Sequence, residues 1–195
     1  LLKGTLSWIT DSVSTQSYTY DNHLRKTAET RIIDGKSWTT QWTYDPADRV
    51  TAITYPNNDQ ALFAYNAQGE VDSVQSRVGG ILNNIDYNAQ NKITKKELGN
   101  GLSTSLTYDT NTFRLKRIQT GILQDLNYVF DSVGNILGII DSIDSRAQNF
   151  QYDDLDRLTH ATDGTYDLAY EYDSIGNILR IDGTDKMNYT YSKPI

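Results

Sequence analysis

A recurring unit of some two dozen residues or fewer constrains this chain more than any other feature. A unit that short cannot enclose its own core, so it must stack on its neighbours. Its marker is an aromatic residue at Tyr20, Tyr44, Tyr65, Tyr87, Tyr108, Phe130, Tyr152, Tyr172 and Tyr191, at spacings of 24, 21, 22, 21, 22, 22, 20 and 19 residues by subtraction. Two residues before it stand Tyr18, Trp42, Phe63, Ile85, Leu106, Tyr128, Phe150, Tyr170 and Tyr189. Two such residues, two positions apart, share a face of a pleated strand. The next residue is Asp21, Asp45, Asn66, Asn88, Asp109, Asp131, Asp153, Asp173 or, last, Ser192. Each can start a turn by accepting backbone N–H groups on a side-chain oxygen.

Three residues on come Asp48, Gly69, Asn91, Gly134, Asp156 and Gly176, types that tolerate a left-handed backbone. Leu24 and Thr112 break that column, and their turns are expected to have another geometry. Two residues further lies an aliphatic column of Val50, Val71, Ile93, Ile136, Leu158 and Ile178. The apolar residues then step by three, as in Val50 and Ile53, Val71 and Val74, Ile136 and Ile139, and Ile178 and Ile181. Strict alternation steps by two, so the spacing predicts a recurrent bulge or a sheet with both faces partly covered. A second turn is expected midway through most units. Its signals are Asp34-Gly35, Pro56 to Asp59, Gly79-Gly80, Gly99-Asn100-Gly101, Thr120-Gly121, Asp163-Gly164 and Asp182-Gly183, with Asp141 to Asp144 a fainter candidate. The prediction is an all-β, antiparallel meander of some sixteen short strands. Residues 18–195 form about eight tandem hairpin repeats in one continuous array, and residues 1–17, with Trp8 and Ile9, are the remnant of a preceding repeat.

The motif aromatic-x-Tyr-Asp-x-x-Gly-x-aliphatic, seen at Tyr170 to Ile178 and repeated over residues 18–192, resembles the YD repeat. That repeat occurs in Rhs proteins, bacterial insecticidal toxin complexes and teneurins. The resemblance implies a curved, spiralling antiparallel ribbon that forms part of a hollow shell. It implies a structural, encapsulating role in a secreted or cell-surface bacterial protein, around or beside a partner polypeptide. In the toxin members that partner is a toxin domain of the same parent chain. The structural repeat positions it assigns here are Tyr44, Asp45, Tyr65, Asn66, Gly69, Tyr87, Asn88, Tyr108, Asp109, Phe130, Asp131, Gly134, Tyr152, Asp153, Tyr172, Asp173 and Gly176. The closing segment of the bacterial members has no counterpart, since the lone Asp-Pro, Asp45-Pro46, lies in an ordinary repeat turn. The chain begins with Leu1 rather than Met and is expected to be a piece of a longer polypeptide, with too few units to close a shell alone.

Composition narrows the function. The 14 Tyr carry much of the apolar surface, and their hydroxyls are expected to reach water while the rings pack. There is no Cys, hence neither disulfide nor thiol chemistry. A net charge of −7 argues against nucleic acid, and the basic group Lys92, Lys95 and Lys96 reads as an edge or solvent face. The aliphatic run Ile136 to Ile140 is far too short for a membrane span. Asp153, Asp154 and Asp156 do not form the full oxygen cage that calcium takes, and His23 and His160 stand in no metal or nucleophile spacing. Carboxylates that recur at matched positions are turn starters rather than catalysts, so no enzyme, metal or cofactor is expected. A ligand surface, if one exists, falls at Trp38 and Trp42, the basis of an alternative reading as an adhesion or carbohydrate-binding module. Open ribbon ends are expected to self-associate.

Overall fold

The structure is a computed structural model that describes residues 4–183 and 187–191. The all-β expectation holds, with eighteen strands and no helix among the described residues. The chain divides into two compact units, Leu1–Ser103 and Thr104–Ile195. The first contains β1 (Trp8–Thr10), β2 (Ser14–Tyr20), β3 (Lys26–Ile33), β4 (Lys36–Tyr44), β5 (Val50–Thr54), β6 (Gln60–Tyr65), β7 (Val71–Ser76), β8 (Gly79–Tyr87) and β9 (Ile93–Leu98). Each pairs antiparallel with the next. The second contains β10 (Ser103–Tyr108), β11 (Leu115–Thr120), β12 (Gln124–Phe130), β13 (Ile136–Asp141), β14 (Arg146–Tyr152), β15 (Leu158–Thr162), β16 (Asp167–Tyr172), β17 (Ile178–Asp182) and β18 (Met187–Asn188), paired in the same way. The two strands beyond the expected sixteen are short ones near the ends of the described chain, β1 and β18.

The three-residue step is a bulge, repeated in every unit. Thr43 faces Ala52, yet Tyr44 faces Val50, so one residue of β5 is extra. The same shift falls at Tyr20, Tyr65 and Tyr87 in the first unit, and at Tyr108, Phe130, Tyr152 and Tyr172 in the second. The extra residue lets aliphatics three apart sit opposite aromatics two apart, as Trp42 on Ile53 and Tyr44 on Val50. One face therefore gathers the rings and aliphatics. The residue between the two rings (Thr19, Thr43, Ala64, Asp86, Thr107, Val129, Gln151 or Glu171) is exposed on the other.

Two sequence expectations need correction. The Leu24 turn keeps the common geometry: Leu24 takes φ 63° and donates to the Asp21 carbonyl at 3.0 Å, just as Asp48 donates to Asp45 at 3.1 Å. The Asp109 turn does differ, being one residue longer, with Phe113 rather than Thr112 in the left-handed position. Nor does Gly79-Gly80 form a turn. Both glycines lie in β8, and Arg77-Val78 makes the turn, clasped by the Ser76 hydroxyl. Gly80 instead permits close approach, since a Cβ there would lie 2.0 Å from the Asn83 side-chain oxygen. The turn after Asp182-Gly183 and the last turn starter, Ser192, fall wholly or partly outside the described residues.

Little is fully buried. Among the described residues only Ala61, Ile85 and Ala161 form a dry apolar core, with Asp125 the buried polar group. The rings are only half-buried against one another, so cohesion beyond the backbone ladder must come from side-chain bonds.

Candidate functional site

The repeat turn supplies that cohesion. In the turn at Asp45, Oδ1 accepts the N–H groups of Ala47 and Arg49 at 2.8 and 3.0 Å. Oδ2 accepts Arg49 Nε at 2.7 Å. The N–H of Arg49, then its guanidinium and the Ala47 N–H, hold the Asp45 carboxyl below its usual range. Asn66 and Asn88 use the same oxygen for Gln68 and Glu70, and for Gln90 and Lys92, at 3.0 Å each. Asp109 takes Asn111 and Thr112; Asp131 takes Gly134 and Asn135; Asp153 takes Leu155 and Arg157; Asp173 takes Ile175 and Asn177. Gly69, Gly134 and Gly176 occupy the left-handed slot at φ 90°, 119° and 94°.

Two kinds of bond then lock repeats to the ones before them. The first is a tyrosine hydroxyl. Tyr44 donates to the Lys26 carbonyl at 2.8 Å, Tyr65 to Val50 at 2.7 Å and Tyr87 to Val71 at 2.7 Å. In the second unit Tyr152 donates to Ile136 at 2.9 Å, Tyr172 to Leu158 at 2.7 Å and Tyr191 to Ile178 at 3.0 Å. Each acceptor is the first residue of a bulged strand, where the ladder is interrupted. These hydroxyls are thus directed into the protein, not to water as the composition suggested. Burial pushes the Tyr87, Tyr152 and Tyr172 hydroxyl pKa values up.

The second lock is a guanidinium, which the sequence reading missed. Arg25, Arg49 and Arg157 stand four residues after Asp21, Asp45 and Asp153, each with Nε 2.7 Å from the turn carboxylate. Their guanidinium carbons lie 4.7, 4.5 and 4.7 Å from the ring centres of Tyr44, Tyr65 and Tyr172 in the following repeat. Arg25 and Arg157 also donate to the carbonyls of Asp45 and Asp173. Phe130 has no hydroxyl, but the guanidinium contact recurs there, with Arg114 5.8 Å from the Phe130 ring centre and donating to the Asp131 carbonyl at 2.7 Å. Asn135 bridges Asp131 and Asp156, while Asn177 holds only its own Asp173. The signal in the sequence was a recurring Asp-x-x-x-Arg spacing at Asp21, Asp45 and Asp153, whereas Asp131 and Asp173 are followed by asparagine and Asn66 by Glu70.

The other candidates are placed as follows. Trp38 and Trp42 share a face of β4 but stand four residues apart, about 13 Å along the strand. Lys26 lays its ammonium 4.1 Å from the Trp42 ring centre and pairs with Glu29 at 2.9 Å, so that ring is covered, while Trp38 is 51% exposed. Asp153 is occupied by its turn and Arg157, and Asp156 by Asn135. No cluster of three or more metal-ligating side chains occurs among the described residues, and they contain no helix that could cross a membrane. His23 stands 4.0 Å from Asp48, and His160 contacts Asp167 across two strands.

A family model described as the teneurin YD-shell matches residues 5–167. The chain belongs to the teneurin YD-shell family. The resemblance read from the motif holds. Among relatives, a toxin subunit YenC2 from Yersinia entomophaga is 30% identical over 117 residues, covering 52% of this chain and 12% of that protein. A tRNA nuclease WapA from Bacillus subtilis is 28% identical over 143 residues, 72% of this chain and 6% of that protein. A crystal structure of TcdB2-TccC3 matches with a TM-score of 0.82 at 19% identity, covering 94% of this chain and 12% of that one. A Photorhabdus luminescens Tc holotoxin pore matches with a TM-score of 0.80 at 20% identity, covering 96% and 12%. These structures share the YD-shell fold, and the chain spans an eighth or less of every protein it matches here.

Proposed function

We propose that this chain is a wall segment of a shell that encloses or flanks a partner polypeptide, in a secreted bacterial protein, without turnover of its own. The observation that carries this reading is the recurring tyrosine lock. The turn carboxylates and hydroxyls described above are spent on holding repeats together, which leaves no distinguished group for catalysis. The relatives support it from another side. A toxin subunit and a tRNA nuclease share this segment, so the activities their names record are best assigned to the rest of those chains. On this reading residues 18–195 work as one continuous array and residues 1–17 complete a preceding repeat.

Limited proteolysis of the full parent chain tests the reading. The expected result is that the partner segment resists cleavage while the wall is intact and becomes sensitive once Gly99→Ala disrupts the wall. Equal sensitivity in both would overturn it. The exposed Trp38 ring favours one alternative, a glycan-binding display surface. Saturable binding of cell-wall sugars that Trp38→Ala removes would support that alternative.

A further inference from the structure

Between the turns at Asn66 and Asn88 the guanidinium lock is absent. Glu70 occupies the place of Arg25, Arg49, Lys92 and Arg157, so a negative charge stands where four other repeats carry a positive one. The receiving parts are all present. They are the Tyr87 ring, equivalent to Tyr44, Tyr65 and Tyr172, and the Asn88 carbonyl, equivalent to those of Asp45 and Asp173 that accept from Arg25 and Arg157. A groove of about 570 Å³ opens beside the Tyr87 ring, lined by Asn66, Gln68, Ile85, Tyr87, Asn88 and Asn91 among others, with Glu70 outside that lining. Among the described residues Glu70 forms no ion pair. Its charge reaches Tyr87 nonetheless: burial raises that hydroxyl most, then Glu70 and Asp72.

We propose that this groove receives an arginine side chain of a partner polypeptide, with the guanidinium on the Tyr87 ring and drawn there by the charge of Glu70. The chain supplies its own template for that geometry at the Tyr44, Tyr65 and Tyr172 rings. A planar, weakly hydrated guanidinium suits a ring and a carbonyl at once, which a compact ammonium does not. A hard metal ion needs a cage of oxygens that the groove does not offer. The inference rests on the shell reading only in taking the partner to be a polypeptide.

The test titrates the whole chain with acetyl-Gly-Arg-Gly-amide and with its neutral citrulline counterpart, reading backbone amide shifts by NMR. The arginine peptide is expected to give saturable shifts at Gln68, Tyr87 and Asn88. Loss of the charge in the citrulline peptide, or in Glu70→Gln, should weaken binding about fivefold. Glu70→Arg should fill the groove and abolish binding. Equal binding of the two peptides, shifts scattered away from the groove, or no saturation would overturn the proposal. The comparison of peptides on the unaltered chain decides the matter even where a variant folds poorly. Protease protection of the partner does not use this groove, so failure of the shell reading registers separately.

Discussion

Tyr65→Phe removes one oxygen atom and with it one bond between repeats. The ring stays, as does the Arg49 guanidinium 4.5 Å from its centre, so packing is preserved. What is lost is the 2.7 Å bond to the Val50 carbonyl, which lies at a half-buried bulge. A net hydrogen bond is worth about 1 kcal/mol, and a partly buried carbonyl left without its donor adds to that, for a total of about 1–2 kcal/mol. For a chain of this length the melting midpoint should fall by about 3–6 °C. Urea unfolding followed by tyrosine and tryptophan fluorescence would give the free energy directly. Tyr55→Phe is the control: Tyr55 is 42% exposed and makes no lock, so it should stay within about 0.5 kcal/mol of the parent. The reasoning is refuted if Tyr65→Phe matches that control, because the hydroxyls would then contribute nothing to cohesion.

Three further outcomes follow from the turns. Leu24→Asn should stabilise by about 0.5–1 kcal/mol in the same urea assay, since leucine is held at φ 63°, where asparagine is at ease. Gly99→Ala should destabilise by about 3 kcal/mol or more, because the new Cβ would lie 1.5 Å from the Gly80 carbonyl oxygen; a midpoint near the parent's would contradict the packing of these two backbones. The pH profile should fall at both ends. Asp45 is held below 3.8 by the Arg49 N–H, Asp153 by the Arg157 side chain and Asp173 by the Asn177 side chain, and Asp163 is pushed down to about 2, first by the Thr165 hydroxyl. Folded values below unfolded ones mean stability present at neutral pH and lost as pH falls from about 4 towards 2. Tyr87, Tyr152 and Tyr172, raised above 10.0 by burial, contribute stability that disappears as pH climbs through their folded values, and melting curves across pH read both limbs.

The turn starters and left-handed slots were legible because each demands a residue type. An Asx oxygen must meet two N–H groups, and a positive φ favours Gly, Asn or Asp. Leu24 escaped that logic because the Asp21 turn, bonded through His23, Leu24 and Arg25, over-determines its backbone. Gly79-Gly80 misled for the opposite reason. Glycine serves close backbone approach as well as turns, and only the structure shows the approach to Asn83 and Gly99. The bulge was legible as an odd step, yet not its purpose, since nothing in the spacing tells that a tyrosine one repeat later bonds the carbonyl there. The arginine lock was hidden by a mixed column of Arg, Glu, Lys and Asn, whose sense emerges only when paired with the turn starter and the ring it covers.

The hydroxyl bonds also have a direction. Every one runs from a later residue back to an earlier one, by 13 to 18 positions. A ribosome therefore releases each acceptor before the tyrosine that seeks it. A nascent chain can thus fasten each new tyrosine onto a repeat whose acceptor has already been made.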